Sequence, residues 1–178
     1  MGIKLHILGL MDYFVQKNFN MRRDFVNWLD KKIETNPNII LITADLGYGL
    51  FDKLKEKYPN NFINCGASEQ LMIGLAVGLS YSGKIPFCYS ITPFLLYRPF
   101  ELIRNYVNKE QLNINLIGSG RDKDYAHDGF SHWAEDDKDI ILNSFKNINA
   151  YWPESDEIIQ TLDLIYDTTS PCYVNLKR

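Results

Sequence analysis

Short apolar runs at 39–42, 62–65, 85–91, 114–117 and 173–176 alternate with stretches of helical spacing, and that alternation constrains the fold more than any other feature. Runs of four to seven mostly apolar residues read as strands buried on both faces. Strands separated by helices call for parallel pairing, because a parallel crossover must be long enough to return along the sheet. The class is α/β, a mostly parallel sheet with helices on both faces.

Between the strands, Phe25, Val26, Trp28, Leu29 and Ile33 recur at helical spacing until Asn36-Pro37-Asn38 breaks the helix. A short helix is expected over 50–57. Ser68 is a candidate N-cap for a helix carrying Leu71, Met72, Leu75, Ala76, Val77 and Leu79. Pro93 is expected to separate the 85–91 strand from a single helix over 95–107. A long polar loop over 118–132, a helix near 134–143, a strand near 145–151 and a helix over 155–166 complete the pattern.

With 178 residues, 46% of them hydrophobic and 23% charged, the chain has the size and composition of one globular domain. Its expected span is 21–178. Residues 1–20 read as an extension, a docking arm or a displaced start, since Asp12 interrupts the apolar run of 6–11 and no signal-cleavage pattern follows. No run approaches the roughly 18 apolar residues that a membrane span needs. A net charge of -3 with scattered lysines and arginines argues against nucleic acid. Cys65, Cys88 and Cys172 are odd in number and set in apolar stretches, as buried thiols of a cytoplasmic protein would be.

In open parallel sheets, ligands bind beyond the carboxyl ends of the strands. The loops there carry Asp45, residues 66–70, residues 92–98 and residues 121–132. Taken alone, Glu69 is a first-turn carboxylate favouring its helix N-terminus by perhaps ~0.5 kcal/mol. The helix behind it contains Gly74, Ala76, Gly78 and Ser80, small residues that permit close packing at a cost in helix propensity.

The run Gly66-Ala67-Ser68-Glu69-Gln70 through Gly74 and Gly78 resembles the segment by which transketolases and their relatives present a glutamate to thiamine diphosphate. The resemblance continues in order through Gly83-Lys84-Ile85-Pro86-Phe87, Phe94-Leu95 to Arg104-Asn105, Asp128-Gly129-Phe130-Ser131-His132 and Ser170-Pro171-Cys172-Tyr173-Val174. It covers about 21–178 and implies the pyrimidine-binding domain of that family. It implies that Glu69 hydrogen-bonds N1′ of the aminopyrimidine and so activates C2 of the thiazolium. An aromatic ring of the 92–98 segment is expected to stack on the aminopyrimidine, and both Phe94 and Tyr97 are candidates. Asp45 resembles a strand-end aspartate near the thiazolium.

The same resemblance gives Asp128 and His132 contacts with hydroxyl and carbonyl oxygens of a sugar, with Phe130 and Ser131 replacing the usual proline and threonine. It makes Arg121 and Arg98 candidate ligands for a sugar phosphate. No Gly-Asp-Gly occurs, so the cofactor's diphosphate and its Mg²⁺ or Ca²⁺ are expected on a partner diphosphate-binding subunit, in an α2β2-type assembly. The expected function is two-carbon ketol transfer by a split transketolase-like enzyme. The alternatives are the small subunit of a thiamine-diphosphate-dependent 2-oxoacid decarboxylase and a non-catalytic module that keeps the fold.

Overall fold

The computed structural model describes residues 20–178. The expected N-terminal extension therefore lies almost wholly outside the described residues. Six strands form one parallel sheet: β1 (Ile39–Thr43), β2 (Phe62–Asn64), β3 (Ile85–Ile91), β4 (Asn115–Ser119), β5 (Asn149–Tyr151) and β6 (Cys172–Leu176). Their spatial order is β2-β1-β3-β4-β6-β5, and every pairing is parallel.

The strands look uniformly apolar because neighbouring residues serve opposite faces. Ile39, Leu41, Phe87, Tyr89, Ile117 and Val174 face α1 (Met21–Thr35) and α7 (Ile158–Asp167), packing with Phe25, Trp28, Leu29, Leu162 and Ile165. Ile40, Ile42, Cys88, Leu116 and Tyr173 face the other layer. That layer contains α3 (Glu69–Tyr81), α4 (Thr92–Tyr97), α5 (Phe100–Leu102) and α6 (Asp137–Ser144). The short α2 (Asp52–Lys57) joins β1 to β2 and buries Leu54 on the first layer.

Three expectations are corrected. Pro93 does not separate β3 from a helix; it sits in the first turn of α4, where a missing N–H costs nothing. The expected single helix over 95–107 is broken at Pro99, whose ring removes a donor, and continues as α5 and a π-helical segment, Ile103–Asn108. Ser68 holds the N-cap position of α3 but its side chain makes no capping hydrogen bond. By contrast, the Asn20 side chain caps α1 by accepting from the Arg23 N–H at 3.1 Å.

Candidate active site

Glu69 opens α3 just past the carboxyl end of β2, and only 2% of it is exposed. A carboxylate so buried needs compensation. Ser90 of β3 donates its hydroxyl to Oε1 at 3.0 Å, and Arg98 donates from Nη1 to Oε2 at 2.7 Å. The Arg98 guanidinium lies over the ring of Phe94, 3.7 Å from its centroid. The Phe94 ring in turn meets His132, edge to face, with ring centroids 4.8 Å apart. Glu69, Arg98, Phe94 and His132 thus form one continuous line at the carboxyl edge of the sheet.

This line borders an open cleft of about 720 Å³ lined by Pro93, Phe94, Tyr97, Arg98, Phe130 and Ser131, among others. Phe94 and Arg98 reach it because α4 starts directly after β3 and turns its first residues over the strand ends. Tyr97 lies one turn on. Its hydroxyl donates to Asp136, and burial followed by that hydrogen bond pushes its pKa up. The Tyr97 hydroxyl is directed to the cleft wall rather than to Glu69.

The loop after β4 brings His132 to the line through two short 3-10 turns, Ala126–Asp128 and Phe130–His132. Gly129 between them has φ +88°, a conformation that side-chain-bearing residues rarely adopt. The base of the loop is closed by the Ala134 N–H donating to the Asp122 carbonyl at 2.8 Å. Beyond it, buried Asp137 accepts from Trp152 Nε1 at 2.7 Å, the Tyr173 hydroxyl at 2.7 Å and Asn175 Nδ2 at 2.6 Å. These bonds tie the loop's exit to β6.

Other expected site residues lie apart. Asp128 is exposed and faces His127, with Oδ2 3.2 Å from Nε2. Asp45, with φ +54°, accepts from the Tyr48 hydroxyl and, at 3.5 Å, from Asn64 Nδ2. Arg121 is 7% exposed, and its guanidinium donates to the carbonyls of Pro153 at 2.8 Å and Asn175 at 2.7 Å, with Glu154 at 3.4 Å. Those bonds hold the segment after β5 against β6.

The sequence reading missed Ser90, although a polar residue at the carboxyl end of an apolar strand is a usable signal. It also missed a second cavity at the same edge, of about 350 Å³, whose lining includes Arg22, Arg23, Tyr48, Ser119 and Tyr125. Arg22 comes from the start of α1, and only the fold brings it to the ends of β3 and β4. Among the described residues, no group of three His, Cys, Asp or Glu side chains is placed to hold a metal ion. No helix among them is long and apolar enough to cross a membrane. All three cysteines are free thiols, and burial pushes each thiol pKa up, that of Cys172 to about 11.

Residues 17–176 match the family described as "Transketolase, pyrimidine binding domain". The chain belongs to this family. It is 32% identical over 155 residues to a putative transketolase C-terminal section of Methanocaldococcus jannaschii, a match covering 84% of this chain and 47% of that protein. It is 28% identical over 160 residues to a 6-deoxy-6-sulfo-D-fructose transketolase subunit of a Clostridium species, covering 89% of this chain and 49% of the relative. A solved split-gene transketolase, described as an inactive beta4 tetramer, superposes with a TM-score of 0.76 at 28% identity, over 89% of this chain and 50% of that one. The chain spans about half the length of these two relatives.

Proposed function

We propose that this domain supplies the aminopyrimidine-binding half of a thiamine-diphosphate site in a split transketolase-like enzyme that transfers a two-carbon ketol unit between sugars or sugar phosphates. One observation carries the reading: a buried glutamate, a flat aromatic ring and a histidine stand in a continuous line beside a cleft. The residues fit the cofactor. A planar group able to donate a hydrogen bond already sits between the Glu69 carboxylate and the Phe94 ring, in the form of the Arg98 guanidinium. When bound, thiamine diphosphate supplies the nucleophilic carbon for ketol transfer.

The chain's own residues would divide the remaining work. Glu69 would hold the ring nitrogen N1′ and share a proton with it, while Ser90 keeps the carboxylate aimed. Phe94 would provide the stacking face and exclude water beneath it. His132, packed edge to face with that ring, would donate to or take a proton from a substrate oxygen. Asp128, exposed on the same loop, would reach a substrate hydroxyl, and Asp45 would lie toward the thiazolium end. The diphosphate and its Mg²⁺ or Ca²⁺ would be held by residues outside this domain, on a diphosphate-binding subunit, and the enzyme would act in the cytoplasm on carbohydrate. Relatives that carry the word subunit in their names support that division. His132 at the stacking ring favours ketol transfer over the 2-oxoacid decarboxylase reading.

The test is reconstitution with a diphosphate-binding partner, thiamine diphosphate and Mg²⁺, followed by ketol-transfer and decarboxylation assays. Ketol transfer is expected, together with loss of C2 proton exchange of the bound cofactor in Glu69→Ala. Normal exchange in that variant would remove Glu69 from its role, and decarboxylation without ketol transfer would overturn the substrate class.

A further inference from the structure

We infer that Arg98 is a built-in occupant of the pyrimidine seat, displaced by the cofactor and thereby released to bind the anionic group of the substrate. The inference rests on the cofactor reading above and deepens it. Its basis is that Arg98 makes, at once, both contacts that an aminopyrimidine at this site requires. Nη1 donates to Glu69 Oε2 at 2.7 Å, and the guanidinium carbon sits over Phe94 at 3.7 Å from the ring centroid. That separation is van der Waals contact, so no second planar group fits between the guanidinium and the ring. Guanidinium and aminopyrimidine therefore exclude each other.

Electrostatics explain why the seat is filled. The Glu69 side chain is 2% exposed, and among the described residues its salt-bridge partner is Arg98 alone. Ser90 offers a neutral hydrogen bond on the other oxygen. Without a cation, the buried carboxylate would be left uncompensated. A ring nitrogen that shares a proton with Glu69 removes that need, and the arginine becomes dispensable.

Release is geometrically easy. Arg98 follows the last residue of α4 and precedes the break at Pro99, and 46% of its side chain is exposed. Its guanidinium can leave by side-chain rotation alone. It already lines the cleft with Phe130 and Ser131, so once released it is a free cation facing substrate. A bidentate fork suits a phosphate or another oxyanion. Cofactor and substrate anion then bind cooperatively, because the first creates the site for the second, and the coupling is reciprocal.

The test uses the assembled complex, titrated calorimetrically with thiamine diphosphate and Mg²⁺, and separately with inorganic phosphate as the anion probe. A latch closed about nine times in ten weakens apparent cofactor affinity roughly ten-fold, so Arg98→Met should bind the cofactor about ten-fold tighter than wild type. Wild type should bind phosphate more tightly with cofactor present than without, and Arg98→Met should lose that difference. An unchanged or weaker cofactor affinity in Arg98→Met overturns the inference. Should that variant fail to fold, the Arg98 Nε–H resonance of the wild-type protein decides. It should show an upfield ring-current shift from Phe94 that disappears when cofactor binds; a shift that persists with cofactor bound overturns the latch alone. Failure of the wild-type complex to bind any thiamine diphosphate overturns the cofactor reading and this inference together.

Discussion

His132 packs edge to face on Phe94, with ring centroids 4.8 Å apart and planes inclined by 65°. The contact joins the loop after β4 to the helix after β3, so the group expected to face substrate rests directly on the ring expected to carry the cofactor. Removing either ring unsettles the other.

This arrangement distinguishes Phe94 from Tyr97. Phe94→Ala should weaken thiamine-diphosphate binding in the assembled enzyme by roughly ten-fold or more, from lost stacking and lost buried area. Tyr97→Phe loses only the hydroxyl's bond to Asp136 and should leave cofactor affinity within about two-fold. Isothermal titration measures both, and a larger loss in Tyr97→Ala than in Phe94→Ala would assign the platform to Tyr97.

Arg121 should behave as a structural residue. Its guanidinium is shared among two backbone carbonyls, the Asn175 side chain and Glu154. Arg121→Met would leave those buried carbonyls unpaired, costing about 2–4 kcal/mol of stability on the usual cost per lost charged hydrogen bond. Urea unfolding measures this. A variant of unaltered stability with a raised KM for phosphorylated acceptor would give Arg121 the phosphate-binding role.

Gly118 of β4 has no room for a side chain. A Cβ there would lie 2.6 Å from Thr92 Oγ1 and 3.2 Å from the Tyr173 hydroxyl oxygen. Both groups are fixed, Thr92 by donating to the Gly120 carbonyl at 2.7 Å and Tyr173 by donating to Asp137. Gly118→Ala should therefore destabilise the domain by about 1–3 kcal/mol through overpacking. Thermal unfolding tests it, and a neutral result would mean that the polar cluster can shift as a unit.

Acid should loosen the seam between α1 and α7. Asp163 accepts from Trp28 Nε1 at 2.9 Å and pairs with Lys32 at 2.9 Å, and these partners hold its pKa below the usual aspartate value. A depressed folded-state pKa adds stability that is fully present above the unfolded value of about 4 and is lost as pH falls through the folded value. The pair is largely solvated, so the contribution is small. Asp163→Asn keeps an acceptor for Trp28 and should flatten the fall in melting temperature between pH 6 and pH 3. An identical acid slope in the variant would place the sensitivity elsewhere, for instance at Asp30, whose pKa is also lowered, chiefly by Lys57.

Much of the molecule was legible in the sequence because local periodicity carries the information. The runs containing Ile39 to Ile42 and Ile85 to Ile91 marked strands, and the spacing of Phe25, Trp28, Leu29 and Ile33 marked α1. Pro93 misled because proline is read as a breaker, whereas the first turn of a helix accepts it. Glu69, Phe94 and His132 were singled out by motif resemblance, and the fold joins them in one line through Arg98.

The amino-acid sequence by itself determined the α/β class, the family and the identity of the chemical groups, since each depends on local pattern. The tertiary structure alone decided which groups the arginines meet. Arg98 meets Glu69 across 29 positions and Arg121 meets Asn175 across 54. A guanidinium's role depends on which carboxylate, carbonyl or aromatic face the fold brings within about 3–4 Å of it, and no local pattern encodes that distance.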